Sequence, residues 1–104
     1  MAAAALALAA PALAGGGQEA MLARALKGAL TRTYKGYAFT RVSCWIPSPT
    51  STRARCTARF VHAAQSLKGV FGIAVTIDRS TGGVRWQATS ATCADLASGK
   101  KVAC

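Results

Sequence analysis

The chain has 104 residues, enough for one domain, and its 13 Lys and Arg outnumber three acidic residues, so its formal charge is +10. The acidic residues are Glu19, Asp78 and Asp95, and His62 is the single histidine. With so few groups that can transfer protons, the composition argues against general acid–base catalysis, and a glycosidase-type pair of carboxylates is disfavoured for the same reason. We therefore predict a protein that is not an enzyme.

The first fourteen residues, MAAAALALAAPALA, are uncharged, end in a small-x-small sequence and are followed by three glycines. This pattern predicts a secretory signal peptide at residues 1–14, a glycine linker at 15–17 and one mature domain at 18–104. The apolar run is shorter than the about 20 residues that span a bilayer, so no transmembrane segment is expected in the mature chain. Two alternatives stay open, namely a disordered leader on a cytosolic protein and, because no basic residue precedes the run, a translation start upstream of Met1.

Cys44, Cys56, Cys93 and Cys104 form an even set with spacings of 12, 37 and 11 residues. An export signal with an even cysteine count predicts disulfides, which allow three pairings, and free buried thiols are the alternative. Zinc ligands are usually paired two to four residues apart, so these spacings predict neither a metal site nor a cofactor.

Residues 18–33 have the apolar spacing of one amphipathic helix, with Leu22, Leu26 and Leu30 on one stripe, Glu19 in the first turn and Gly36 as a stop signal. Residues 37–46, 53–62, 69–78 and 83–90 alternate with period two and are separated by short segments rich in turn residues. The sequence thus predicts an α+β domain in which one N-terminal helix packs on a four-stranded antiparallel meander sheet with two local disulfides.

The pairing of the strands follows from the centres of the three hairpin turns. We place these centres at Thr50, between residues 65 and 66, and between residues 80 and 81. Cys44 then faces Cys56, Cys56 faces Val75, and Val75 faces Trp86, so that one face of the sheet is apolar. Directly opposed cysteines have a suitable separation for a bridge, which favours Cys44–Cys56 and leaves Cys93 for Cys104.

The same registers leave a second face, opposite the helix, that carries five arginines and one tryptophan. Its predicted rows are Arg41, Arg59, Gly72 and Thr89; Ser43, Thr57, Ala74 and Gln87; and Trp45, Arg55, Thr76 and Arg85. Its two ends are predicted to carry Arg53 with Asp78, and Phe39 with Val61 and Val70.

One interpretation of this face is a solvated surface whose arginines reflect compositional bias. The other is a non-catalytic anion-binding surface, because Arg recognises phosphate and carboxylate with two hydrogen bonds, and because Trp45 can stack on a ligand ring or form a cation–π pair with Arg55. The expected ligands of an exported protein are an anionic envelope polymer or a membrane surface of anionic head groups, and nucleic acid is disfavoured. The predicted anion-binding residues are Arg41, Trp45, Arg53, Arg55, Arg59 and Arg85.

A second functional hypothesis is a protein-binding or inhibitory module. The turn at 47–51, with sequence PSPTS, is stiffened by proline and closed by the predicted Cys44–Cys56 bridge, so it would lose little entropy on binding a protein partner. A catalytic set of His62, Ser66 and Asp78 has no supporting motif. The free edges of the sheet leave the oligomeric state open.

The segments Val42-Ser43-Cys44, Arg55-Cys56, 72–77 and Val84-Arg85-Trp86, after an export leader and one helix, resemble small exported domains of unknown function from high-GC Gram-positive bacteria. The resemblance implies an α+β fold and a secreted or envelope location, and it implies no activity.

Overall fold

The computed structural model describes residues 3–7, by their backbone, and residues 17–104. One helix packs on one face of an antiparallel sheet with the spatial order β1-β5-β4-β3-β2, and the short β6 also pairs with β5. The predicted fold class is therefore confirmed. The elements in chain order are β1 (Ala3–Ala7), α1 (Gln18–Thr33), β2 (Ala38–Trp45), β3 (Arg53–His62), β4 (Leu67–Ile77), β5 (Gly83–Asp95) and β6 (Lys101–Val102).

Helix α1 has the bounds that its periodicity predicts. Leu22, Leu26 and Leu30 are fully buried against the sheet, as the apolar stripe requires. The helix ends where the backbone N–H of Tyr34 donates to the Leu30 carbonyl, and Gly36 then adopts a left-handed conformation with φ of 85°. The helix thereby covers one sheet face and leaves the opposite face, which we call the outer face, to solvent.

Strands β3 and β4 pair in a register that differs by two residues from the predicted one. Cys56 faces Ile73 and not Val75, and His62 faces Leu67. The cause is a four-residue connection containing a 3₁₀ turn at Ala63–Gln65, in which His62 Nδ1 accepts from the Gln65 backbone N–H at 3.3 Å. Because side chains alternate with period two, a shift of two residues changes the neighbours but keeps every side chain on its predicted face.

Phe39 lies in the core, and the prediction that it sits on the outer face is wrong. A bulge between Phe39 and Arg41 places Phe39 opposite Phe60 and leaves Thr40 exposed. Phe39 joins an aromatic cluster beneath the end of α1, with ring centroids 6.4 Å from Phe60 and 6.0 Å from Phe71. Burial of a large ring in this cluster favours the bulge over unbroken alternation.

A second irregularity lies where β4 meets β5, between Gly72 and Ile73. Val75 faces Trp86 as predicted, and Ile73 faces Ala88, as the same predicted register requires. Beyond this pair the register shifts, so that Gly72 faces Ser90 and not Thr89. Ser90 is consequently exposed, and β5 continues to Asp95, five residues past its predicted end.

Residues Ala3–Ala7 of the predicted leader pair with Gly83–Gln87 of β5 as strand β1. The rest of that leader, the cleavage position after Ala14 and two of the three linker glycines lie outside the described residues. The signal peptide stays a prediction, and its removal would take β1 away from the edge of β5.

The bridges Cys44–Cys56 and Cys93–Cys104 are both formed, as predicted. Cys56 and Cys93 are buried, so each bridge fastens its chain segment to the core. Two disulfides fit a chain that folds in an oxidising compartment outside the cytosol. In the range 17–104, no helix is long and apolar enough to cross a membrane.

Candidate functional site: the basic outer face of the sheet

The outer face brings together all six predicted anion-binding residues. The four arginines on β3 and β5 alternate with buried neighbours, and Arg41 and Trp45 on β2 follow the same alternation beside the half-buried Val42 and Cys44. This alternation turns the six side chains away from α1. None of the five guanidinium groups forms a hydrogen bond or an ion pair with another described residue. All six are exposed, namely Arg41 and Trp45 on β2, Arg53, Arg55 and Arg59 on β3, and Arg85 on β5.

The arginines lie close to one another across the strands. Arg41 directly faces Arg59 on the neighbouring strand, as predicted. Arg53 and Arg85 lie on either side of Thr76, which pairs with both of them. The predicted row in which Arg85 is aligned with Arg55 is wrong, because of the two-residue difference between β3 and β4. Like charges in opposed positions destabilise a sheet, so this arrangement works against folding unless an anion neutralises it.

The three acidic side chains are all used elsewhere, as structural acceptors. Glu19 Oε2 of α1 accepts from the Ile46 backbone N–H at 2.6 Å. Asp78 directly follows β4 and accepts hydrogen bonds within the turn between β4 and β5, and Asp95 closes the turn between β5 and β6. None of the described carboxylates therefore forms an ion pair with an arginine of the outer face.

Hydrogen bonds within these turns lower the pKa of both aspartates below the usual 3.8. For Asp78 the main cause is the Ser80 hydroxyl, which donates to Oδ1 at 2.6 Å, followed by the Ser80 backbone N–H. For Asp95 it is the Ser98 backbone N–H, which donates to Oδ2 at 2.8 Å. These bonds favour the ionised form, as expected for a carboxylate that accepts N–H and O–H donors.

We expect the protein to lose stability in acid. A carboxylate whose pKa is lower in the folded state stabilises the fold above its unfolded pKa, and this contribution disappears as the pH falls through the folded pKa. The melting temperature should thus be nearly constant above about pH 5 and fall below about pH 4. The variant Asp78→Asn/Asp95→Asn should have a lower melting temperature than the wild type at neutral pH. Its melting temperature should also fall less as the pH is lowered. Thermal melts from about pH 5 to well below pH 4 measure this difference, and an acid response identical to that of the wild type would contradict the assignment.

Open grooves run along the outer face between the basic side chains. One groove, of about 630 Å³, lies between Trp45, Pro47, Arg53 and Arg55. A groove of about 420 Å³ adjoins it and shares Arg55, and its floor contains small residues of β4. At one of these, Gly72, an added Cβ atom would overlap the Ser90 hydroxyl, so a larger residue there requires the Ser90 side chain to move. The small floor leaves room for a ligand chain to lie between the arginines.

Two lysines extend the basic surface beyond the predicted set. Lys68 of β4 and Lys101 of β6 line a third groove, of about 390 Å³, together with Arg59. Sequence reasoning missed Lys68 because it placed the residue in a loop before β4, and it missed Lys101 because β6 has only two residues. The continued alternation from Phe71 back to Leu67 is the signal that places Lys68 on the outer face.

Trp45 is the one exposed aromatic side chain in the described part of the molecule, with 60% of its surface accessible. It directly faces Arg55 across β2 and β3, but no cation–π contact joins the two side chains. The indole face is therefore open to a ligand in the groove of about 630 Å³.

The residues of the hypothetical catalytic set are not brought together. His62 and Ser66 flank the connection before β4, whereas Asp78 follows its far end, about 35 Å away at ~3.3 Å per residue. His62 instead packs edge-on against Tyr37, with ring centroids 4.5 Å apart. Ser66 Oγ lies 3.5 Å from Asp95 Oδ1. Within residues 17–104, no cluster of three or more His, Cys, Asp or Glu has the arrangement of a metal site.

The fold and this face define a small disulfide-bonded α+β domain with a basic, solvent-exposed sheet surface. Comparisons of the chain with protein-family models, with curated proteins and with solved structures find no match in any of the three. The functional interpretation therefore depends on the geometry of the domain itself.

Proposed function

We propose that this chain is an exported, non-catalytic binding module whose outer face binds an anionic polymer of the cell envelope. The observation that carries the proposal is the set of five exposed arginines on one face, with no described acidic partner and with Arg41 directly opposed to Arg59. A surface evolved for solubility alone is better served by mixed charges. A phosphate or carboxylate between two opposed guanidinium groups removes their repulsion and accepts two hydrogen bonds from each.

The dimensions of the site favour a polymer over a single head group. The three grooves follow β3 from Arg53 to Val61, a distance of about 27 Å at ~3.4 Å per residue. Arg53, Arg55 and Arg59 lie along this line on the same side of the strand. An extended polyanion can contact all three at once, whereas one head group reaches only one of the grooves. Anionic lipid head groups are thus the second ligand class to be tested.

The expected result is salt-dependent binding of the full, oxidised chain to polyphosphate, measured as retention on an immobilised polymer across a salt series. Each charge contact with a flexible polyanion contributes roughly 0.7 to the slope of log K against log salt, so five arginines predict a slope of about −3.5. Vesicles containing anionic lipid and single-stranded DNA serve as parallel ligands. Stronger retention on either would assign the face to that ligand, and no binding at low salt would contradict the proposal.

The second candidate, a protein-binding module, is supported by the order within the turn at 47–51. Ser48 and Ser51 are joined by backbone and side-chain hydrogen bonds of 3.0–3.1 Å, and Arg79 Nε donates to the Ser51 carbonyl at 2.8 Å. Residues 47–50 are exposed. Such a preorganised turn fits a protein partner, and this function would be preferred if no polyanion is retained.

A further inference from the structure

We infer that Trp45, Arg53 and Arg55 form a subsite for a sugar ring that lies next to a negative group, so that the polymer bound by the outer face is an anionic polysaccharide. The inference rests on the proposed function and specifies its ligand. It begins with the contrast between the exposure of Trp45 and the rigidity of the backbone that presents it.

The backbone of Trp45 is held on both sides. Cys44 before it is joined by a disulfide to Cys56 on β3. After it, the Ile46 backbone N–H donates to the Glu19 carboxylate of α1, and the Ile46 side chain is buried. Pro47, with its fixed φ, then forms one wall of the groove. The position of the indole is thus set before any ligand arrives, which lowers the entropy cost of binding.

This backbone is fixed although the side chain it presents is 60% exposed and contributes little to the core. An exposed tryptophan held by three separate constraints is better explained by contact with a ligand than by folding. Large aromatic side chains at such positions supply contact area at low entropic cost.

The surroundings of Trp45 define the ligand. Arg55 faces it across the strand pair, and Arg53 lies two residues along β3, about 7 Å from Arg55. All three side chains line the same groove of about 630 Å³, which is large enough for a ring and its substituents. The indole covers the apolar C–H face of a sugar ring while the two guanidinium groups hold its carboxylate, phosphate or sulfate.

The number of aromatic side chains argues against single-stranded nucleic acid. Proteins that bind it stack successive bases on several aromatic residues. The described outer face has one exposed aromatic, at one end, while its remaining length offers cations and small residues. This arrangement suits a polymer in which a single ring is stacked and the following repeats are held by charge.

The test compares two polyanions that differ in their rings: polygalacturonate, which has a sugar ring and a carboxylate in every repeat, and polyphosphate, which has none. Trp45→Ala is expected to weaken binding of polygalacturonate about fivefold to tenfold and to leave the Kd for polyphosphate unchanged. Trp45→Phe, which keeps an aromatic ring, should retain most of the affinity. Leu96→Ala, at an exposed apolar position far from the groove, is the control and should change neither Kd.

Fluorescence gives an independent readout because Trp86 is buried and Trp45 is not. Polygalacturonate should protect the indole of Trp45 from acrylamide quenching in the wild type, and polyphosphate should not. Equal effects of Trp45→Ala on both polymers, or none on either, would overturn the subsite while leaving the anion-binding face in place. Failure of the wild-type protein to bind polyphosphate would instead overturn the proposed function.

Discussion

Replacing Arg41, Arg55 and Arg59 with Ser is expected to lower the affinity for polyphosphate about a hundredfold at ~0.1 M salt. Each lost charge contact removes roughly 0.7 from the salt slope, so the slope should become shallower by about 2. The fold should be unaffected, because all three side chains are exposed and Arg41 and Arg59 repel each other in the free protein. Affinities across a salt series, together with thermal melts, measure both effects.

The matched control removes the same amount of charge from the helix. Arg24, Lys27 and Arg32 are exposed on α1, which packs on the opposite side of the sheet. Their replacement with Gln also lowers the net charge by three while keeping good helix propensity. This variant should bind nearly as tightly as the wild type. Equal losses in the two variants would mean that net charge alone drives binding and that the outer face is not the site.

Removal of the Cys44–Cys56 bridge is expected to have the largest effect on stability. The bridge closes a loop of about a dozen residues, which corresponds to roughly 3 kcal/mol in the chain-entropy model. For a domain of this size, the melting temperature of Cys44→Ala/Cys56→Ala should fall by about 12–24 °C. The variant should also lose affinity for polygalacturonate, because the bridge fixes the residue next to Trp45. Thermal unfolding followed by circular dichroism measures the first effect.

The Cys93–Cys104 bridge provides the comparison, since it spans a similar 11 residues and predicts a similar entropic effect. Its removal, however, releases mainly residues 96–104, which are exposed except for their pairing with β5. This segment can detach while the sheet stays folded, so the loss cannot exceed the free energy of that local opening. We expect a smaller fall in melting temperature for Cys93→Ala/Cys104→Ala. A larger fall than for the first bridge would show that the terminal segment supports the core.

Much of the fold follows from local patterns in the chain. The sequence-based prediction agrees with the structure in the bounds of α1, the bounds of β3 and both disulfides. It also agrees in the exposure of all six predicted site residues. The reason is that helix periodicity and strand alternation depend only on near neighbours, and burial of one face against a single helix leaves few alternatives. Because side chains alternate with period two, a register error of two residues does not move a side chain to the other face. The residues of the basic face were therefore predicted correctly in spite of that error.

What the sequence by itself determined is which side chains point away from the core wherever a strand alternates without a bulge. The tertiary structure decided where the bulges lie and which side chains are neighbours. The bulge at Phe39 depends on aromatic partners contributed by β3 and β4, and no local alternation rule can anticipate an inserted residue. The 3₁₀ turn at Ala63–Gln65 set the register that places Arg53 and Arg85 around Thr76. The short strand β6 places Lys101 in the groove through its pairing with β5. A strand of two residues is too short to be predicted from its own sequence.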